Sequence, residues 1–291
     1  MPDVRANGID VRYETVGDPG DPALLLIMGL GAQLTDWPDE FCAQLAARGF
    51  HLVRFDNRDA GLSTAFDSLG QPDTAAILRG DPATVPYLLS DMAADAAGLL
   101  KELGITRAHV VGASMGGMIA QQLTIDHPGL VASLCSIMST TGDRTVGRPT
   151  PEAAAALMRP PATTREEILA GATATSRVIG SPAYPATDEW LQQRAAAKYD
   201  RSFRPRGTQR QYAAIIASPD RTAALGAVTA PTLVVHGEAD PLIDVSGGRA
   251  TAAAVPGAEL LVIPGMGHDL PQALWPQIID AIATNAARAG Q

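Results

Sequence analysis

The chain has 291 residues, of which 46% are hydrophobic and 18% charged, with a formal net charge of −9. That length and composition fit one large globular domain, or one core domain carrying an insertion. The acidic balance, with a pI near 5.0, repels phosphate and argues against nucleic acid and anionic membrane as partners.

The opening residues, MPDVRANGIDVRYE, are polar and alternating. They lack the apolar core of a signal peptide, so a cytoplasmic chain is expected. GIDVRYETVG alternates in the period of a half-buried strand and predicts an antiparallel edge hairpin with a lost or short partner. Six short apolar runs follow: ALLLIM (23–28), HLVRF (51–55), AHVVG (108–112), LVASLCSIM (130–138), PTLVVHG (231–237) and AELLVIP (258–264). The longest apolar run, ALLLIMGLGA, is too short to span a bilayer.

Between these runs lie amphipathic stretches, DEFCAQLAARG (39–49) and LLSDMAADAAGLLKELG (88–104). In the second, Leu89, Met92, Ala96, Leu99, Leu100 and Leu103 recur at helical spacing and Gly104 ends the run. Continuous apolar strands alternating with helices predict an α/β fold, a mostly parallel doubly wound sheet with helices on both faces. The two cysteines, Cys42 and Cys135, fall in a predicted helix and a predicted strand and read as buried reduced thiols. No Cys/His cluster suggests a metal.

The rhythm breaks after Ser139. From 142 to 221 there is no strand pattern, but proline clusters (GRPTPE, RPPATTREE, GSPAYPA) and two helix-like pieces, 188–203 and 208–218. The expected organisation is a core of residues 1–141 and 222–291 with a helical cap, 142–221, inserted between two strands.

One stretch carries chemistry. Gly112-Ala113-Ser114-Met115-Gly116 follows an apolar strand run and opens a helix-like run. Glycines cost conformational entropy on folding, and a lone serine between them gains nothing from packing. The G-x-S-x-G pattern at a strand-to-helix turn lets a serine project above the sheet as a nucleophile. A serine needs a base and a group to orient that base. The elbow architecture orders them Ser, then Asp or Glu, then His. Asp240 follows the strand PTLVVHG, and His268 follows AELLVIP in a glycine-rich loop. Both lie at the strand ends on the side of Ser114, where open α/β sheets bind ligands. Asp244 competes with Asp240 but reads as a helix N-cap. Asp269 is adjacent to His268 and badly placed to orient it. His236 is a weaker candidate for a site-lining role.

GASMG, GEADPL and GMGHDLP together resemble the α/β-hydrolase superfamily, over roughly 5–140 and 223–291. DPALLLIMGLGAQLTDWPDEF and RFDNRDAGLST are most similar to serine esterases of the aclacinomycin methylesterase type. The second stretch resembles a D-x-R-G-x-G-x-S segment, with Asp59 where glycine is usual; Arg58 and Asp59 are expected to hold that loop. The resemblance implies an α/β-hydrolase fold and a cofactor-free hydrolase acting on a small-molecule carboxylic ester. It implies Ser114 as nucleophile, His268 as base and Asp240 as its partner, with the backbone amides of Leu30 and Met115 as the oxyanion hole. Met28 stands where most relatives carry histidine; the donor is a backbone amide, so the hole is expected to survive.

Trp37, near the oxyanion loop, and the cap residues Tyr184, Trp190 and Tyr212 are expected to line the substrate pocket; core packing is the competing reading for Trp37 and simple cap–core packing for the other three. A cofactor-free haloperoxidase or perhydrolase and a carbon–carbon hydrolase use the same triad and stand as rivals. A serine rather than an aspartate at the elbow argues against haloalkane dehalogenases and epoxide hydrolases. A catalytically silent binding protein on this fold is disfavoured, because no triad member is missing.

Overall fold

The computed structural model describes residues 3–157, 162 and 164–290. An eight-stranded sheet runs in the order β1-β2-β4-β3-β5-β6-β7-β8. β1 (Asp3–Ala6) and β2 (Ile9–Val16) form the predicted hairpin. Asn7 and Gly8 turn it, both at positive φ (47° and 79°), the conformation a tight right-twisted hairpin requires. β2 also pairs antiparallel with β4 (His51–Phe55), so β1 and not β2 is the sheet edge. From β4 onward every pairing is parallel: β3 (Ala23–Ile27), β5 (Ala108–Ala113), β6 (Val131–Ile137), β7 (Thr232–Gly237) and β8 (Glu259–Ile263).

The continuous apolar runs are explained by burial on both faces. In β3, Leu25 and Ile27 join one core cluster while Leu24 and Leu26 join the other. In β5, Val110 and Val111 divide in the same way. The first face is covered by α3 (Leu89–Glu102) and α4 (Met115–Asp126), the second by α1 (Asp39–Ala46) and α11 (Trp275–Ala287). The short α2 (Thr74–Leu78) precedes α3, and α10 (Val245–Ala254) crosses between β7 and β8. Every residue of β6 is buried, as befits a central strand, whereas the outer strand β8 is partly exposed.

Between β6 and β7 lie α5 (Pro151–Leu157), α6 (Arg165–Ile179), α7 (Asp188–Arg201), α8 (Pro205–Ala217) and α9 (Thr222–Leu225). α7 and α8 match the two predicted pieces, α8 starting three residues early on Pro205, which suits the first turn of a helix. α5 and α6 fall in a stretch read only as proline-rich. α6 has a local start signal: Thr164 accepts from the Glu167 amide at 3.2 Å and the Glu167 side chain accepts from the Thr164 amide at 3.2 Å, a capping box. No described helix is long and apolar enough to cross a membrane.

Candidate active site

The turn from β5 into α4 is built by close approach. A Cβ on Gly112 would lie 2.1 Å from the Gly116 carbonyl oxygen, and one on Gly116 would lie 2.1 Å from that of Ile27. Only glycine fits either place. Between them Ser114 holds φ 56° and ψ −121°, a left-handed region that costs a non-glycine residue about 1–3 kcal/mol. The turn is tied down on both sides: the Ser114 amide donates to Ile137 O at 2.9 Å, and Ser139 Oγ donates to Ser114 O at 2.9 Å.

Three residues far apart in the chain meet here. His268 Nε2 lies 3.0 Å from Ser114 Oγ, and His268 Nδ1 lies 2.7 Å from Asp240 Oδ2. Asp240 Oδ1 accepts two further bonds, from the amides of Leu242 and Ile243, each at 2.9 Å. The carboxylate is therefore held in one orientation by its own loop. The histidine loop is held by the last residue of α6 and the segment after it. The His268 amide donates to Ile179 O at 2.7 Å, the Gly267 amide to Ser181 Oγ at 2.8 Å, and Ser181 Oγ to Asp269 Oδ1.

The loop after β3 lies against the serine. A Cβ on Gly29 would be 3.6 Å from Ser114 Oγ. Among the described residues neither the Leu30 nor the Met115 amide donates to a protein acceptor. Met115 opens α4, where helix geometry leaves its amide unpaired and the dipole favours negative charge.

The competing residues sort cleanly. Asp244 caps α10, accepting from the Ser246 amide at 2.9 Å. Asp269 bonds Ser181, and burial raises its pKa. His236 is fully buried; its Nε2 bonds Ile243 O at 2.7 Å and lies 3.6 Å from Asp240 Oδ2, so it packs behind the carboxylate. Burial also pushes the Cys42 thiol up to about 11 and raises that of Cys135, so both are inert core thiols.

Arg58 and Asp59 hold their loop, as expected. Arg58 forms a two-point bond with Asp95 (2.6 and 2.7 Å) and lies over the rings of Phe66 and Tyr87. Asp59 stands at φ 66°, the conformation glycine usually supplies there, and its carboxylate binds Arg210 of α8.

A cavity of about 1240 Å³ opens between the sheet and the inserted helices. Leu30 and His268 line its floor, and Tyr184, Trp190 and Tyr212 line its wall. Trp37 does not. It is fully buried, stacked on Phe41 at 5.6 Å within the core cluster that includes Trp275. The short turn Leu34–Asp36 carries the chain inward at that point, so the pocket reading of Trp37 is corrected to core packing. The buried Gln33 and Gln211 and the half-buried Arg201 form a polar layer around the Leu30 loop that sequence patterns did not reveal.

A strand, a glycine-flanked serine at strained backbone geometry, and an aspartate and a histidine at the following strand ends are the signature of one fold family. The chain belongs to the alpha/beta hydrolases: the model of the alpha/beta hydrolase fold matches residues 22–271. It is 30% identical to rhodomycin D methylesterase DauP of Streptomyces sp. (strain C5), covering 95% of this chain and 94% of that one. Rhodomycin D methylesterase DnrP of Streptomyces peucetius is also 30% identical, with the same coverage. Among solved structures, the esterase RhEst1 from a Rhodococcus species has a TM-score of 0.75 at 21% identity, covering 99% of this chain and 98% of that one, a likeness of fold.

Proposed function

We propose that Ser114, His268 and Asp240 are the catalytic triad of this ester hydrolase, and that the Leu30 and Met115 amides form its oxyanion hole. The chain is a serine ester hydrolase of the alpha/beta-hydrolase type. The observation that carries the site assignment is the unbroken line from Ser114 Oγ through both ring nitrogens of His268 to Asp240. Ser114 Oγ attacks the ester carbonyl and His268 Nε2 takes its proton. The carbonyl oxygen becomes an oxyanion facing the two amides. His268 then returns the proton to the leaving alcohol, and water resolves the acyl-enzyme by the same steps. Asp240 fixes the ring with Nδ1 protonated, so that Nε2 accepts.

The helical insertion, residues 142–221, is the cap, and the cavity beneath it is the acid-side pocket. Its aromatic wall and its volume suit the methyl ester of a bulky, largely apolar acid, in keeping with the methylesterase relatives. A roofed pocket rewards apolar area at about 0.8 kcal/mol per methylene, about fourfold in kcat/KM. Hydrolysis of p-nitrophenyl esters is therefore expected to improve from acetyl toward medium chains and then fall. A methyl ester of a polycyclic acid should be hydrolysed, and emulsified long-chain triglyceride should not. A sharp rise in activity on the emulsion would instead mark the cap as an interfacial lid and overturn the pocket assignment.

A further inference from the structure

Helix α8 reaches past the cavity wall into the loops above the sheet. A Cβ on Gly207 would lie 2.0 Å from Asp59 O, so the two backbones touch. Arg210 is fully buried and grips the Asp59 carboxylate through Nε at 2.9 Å and Nη2 at 2.7 Å. Gln211, also fully buried, spans two loops at once. Its Oε1 accepts from the Gly31 amide at 2.8 Å, and its Nε2 donates to Arg58 O at 2.7 Å. Gly31 stands at φ 63°, and a Cβ there would meet Thr208 Oγ1 of the same helix at 2.6 Å.

Gly31 directly follows Leu30, whose amide is the oxyanion donor proposed above, and Gly29 on its other side packs against Ser114. The Leu30 amide shares a peptide plane with Gly29 O, which accepts from the Ala32 amide at 3.2 Å. The next plane carries the Gly31 amide, which Gln211 holds. With both planes fixed, the Leu30 N–H has one direction. Without the Gln211 acceptor, the part-buried Gly31 N–H at the cavity edge loses its protein partner and the peptide is free to turn toward another.

We infer that Gln211 is a positioning residue for the oxyanion hole: through its side-chain amide the cap sets the Leu30–Gly31 peptide against Ser114. This rests on the triad and oxyanion assignment proposed above. The cap then contributes to the stabilisation of the transition state as well as to substrate binding.

Gln211→Met keeps the volume and removes both hydrogen bonds. Misplacing one oxyanion donor should lower kcat on p-nitrophenyl butyrate by about 10–100-fold while KM moves by less than about twofold. Affinity for an alkyl boronic acid, which mimics the tetrahedral state, should fall in parallel, and affinity for an unreactive ether of the same shape should hold. Should Gln211→Met not fold, Gln211→Asn makes the same comparison, since it keeps an amide but is one methylene too short to reach both loops. Wild-type kcat and boronate affinity in the folded variant would overturn the inference. So would a rise in KM alone, which marks a cavity-wall residue. Ser114-dependent hydrolysis by the wild-type chain is measured alongside. If it is absent, the triad reading falls and takes this inference with it; if it is present and the variants are unaffected, this inference falls alone.

Discussion

Asp240→Asn is a sharp test of the hydrogen-bond line, because the structure dictates how the new amide must sit. The two backbone amides of Leu242 and Ile243, each 2.9 Å from Oδ1, require an acceptor. The asparagine carbonyl oxygen will take that place, so its NH2 group faces His268 Nδ1, 2.7 Å away. An NH2 group can only donate, so Nδ1 must accept and the ring proton moves to Nε2. Nε2 then faces Ser114 Oγ as a donor and cannot take the serine proton. The expected loss in kcat is about 10⁴-fold, or about 5.5 kcal/mol of barrier. Stability should change by less than about 1 kcal/mol, since size and loop bonds are retained. Steady-state hydrolysis of p-nitrophenyl butyrate, with urea unfolding of the same samples, reads both quantities. A folded variant whose kcat falls by less than about tenfold would refute the tautomer argument.

Arg210→Met should destabilise the chain by about 3 kcal/mol, near the lower end for breaking a buried pair. Asp59 keeps the Tyr87 hydroxyl and the Phe66 amide, each at 2.8 Å, and so is not fully stranded. Urea unfolding and limited proteolysis within 142–221 measure the effect, and a stability unchanged from wild type would contradict the clamp. His236 supplies a pH prediction: burial, the largest cause, holds its pKa below the usual imidazole value. The unfolded chain takes up the proton near ~6.5 while the folded chain does so only at lower pH. Stability present above that value is therefore lost as pH falls from it toward the folded pKa. Urea midpoints at pH 7.5 and 5.5 should drop for wild type and drop less for His236→Gln; equal slopes would contradict the assignment.

The sheet was legible because burial on both faces leaves unbroken apolar runs such as ALLLIM and LVASLCSIM. The elbow was legible because Gly112 and Gly116 sit where no Cβ can, a constraint that surfaces directly as residue type. Asp240 and His268 could be brought to the sheet edge of Ser114 because each follows a recognisable strand. The inserted helices were harder. α6 begins among prolines, and only the Thr164–Glu167 pair announces it. Trp37 could not be placed, since an aromatic residue suits a core or a pocket equally well. Gln211 left no trace in any pattern, because its role comes from meeting Gly31, 180 positions earlier in the chain.

The central claim is that Ser114 is the nucleophile, and a fluorophosphonate probe tests it most directly. Intact-mass analysis with peptide mapping should show one adduct per chain, on Ser114, with ester hydrolysis lost in proportion to labelling. Ser114→Ala should fold, take no adduct and hydrolyse no ester above the uncatalysed rate. An adduct on another residue, or wild-type turnover in Ser114→Ala, would contradict the account.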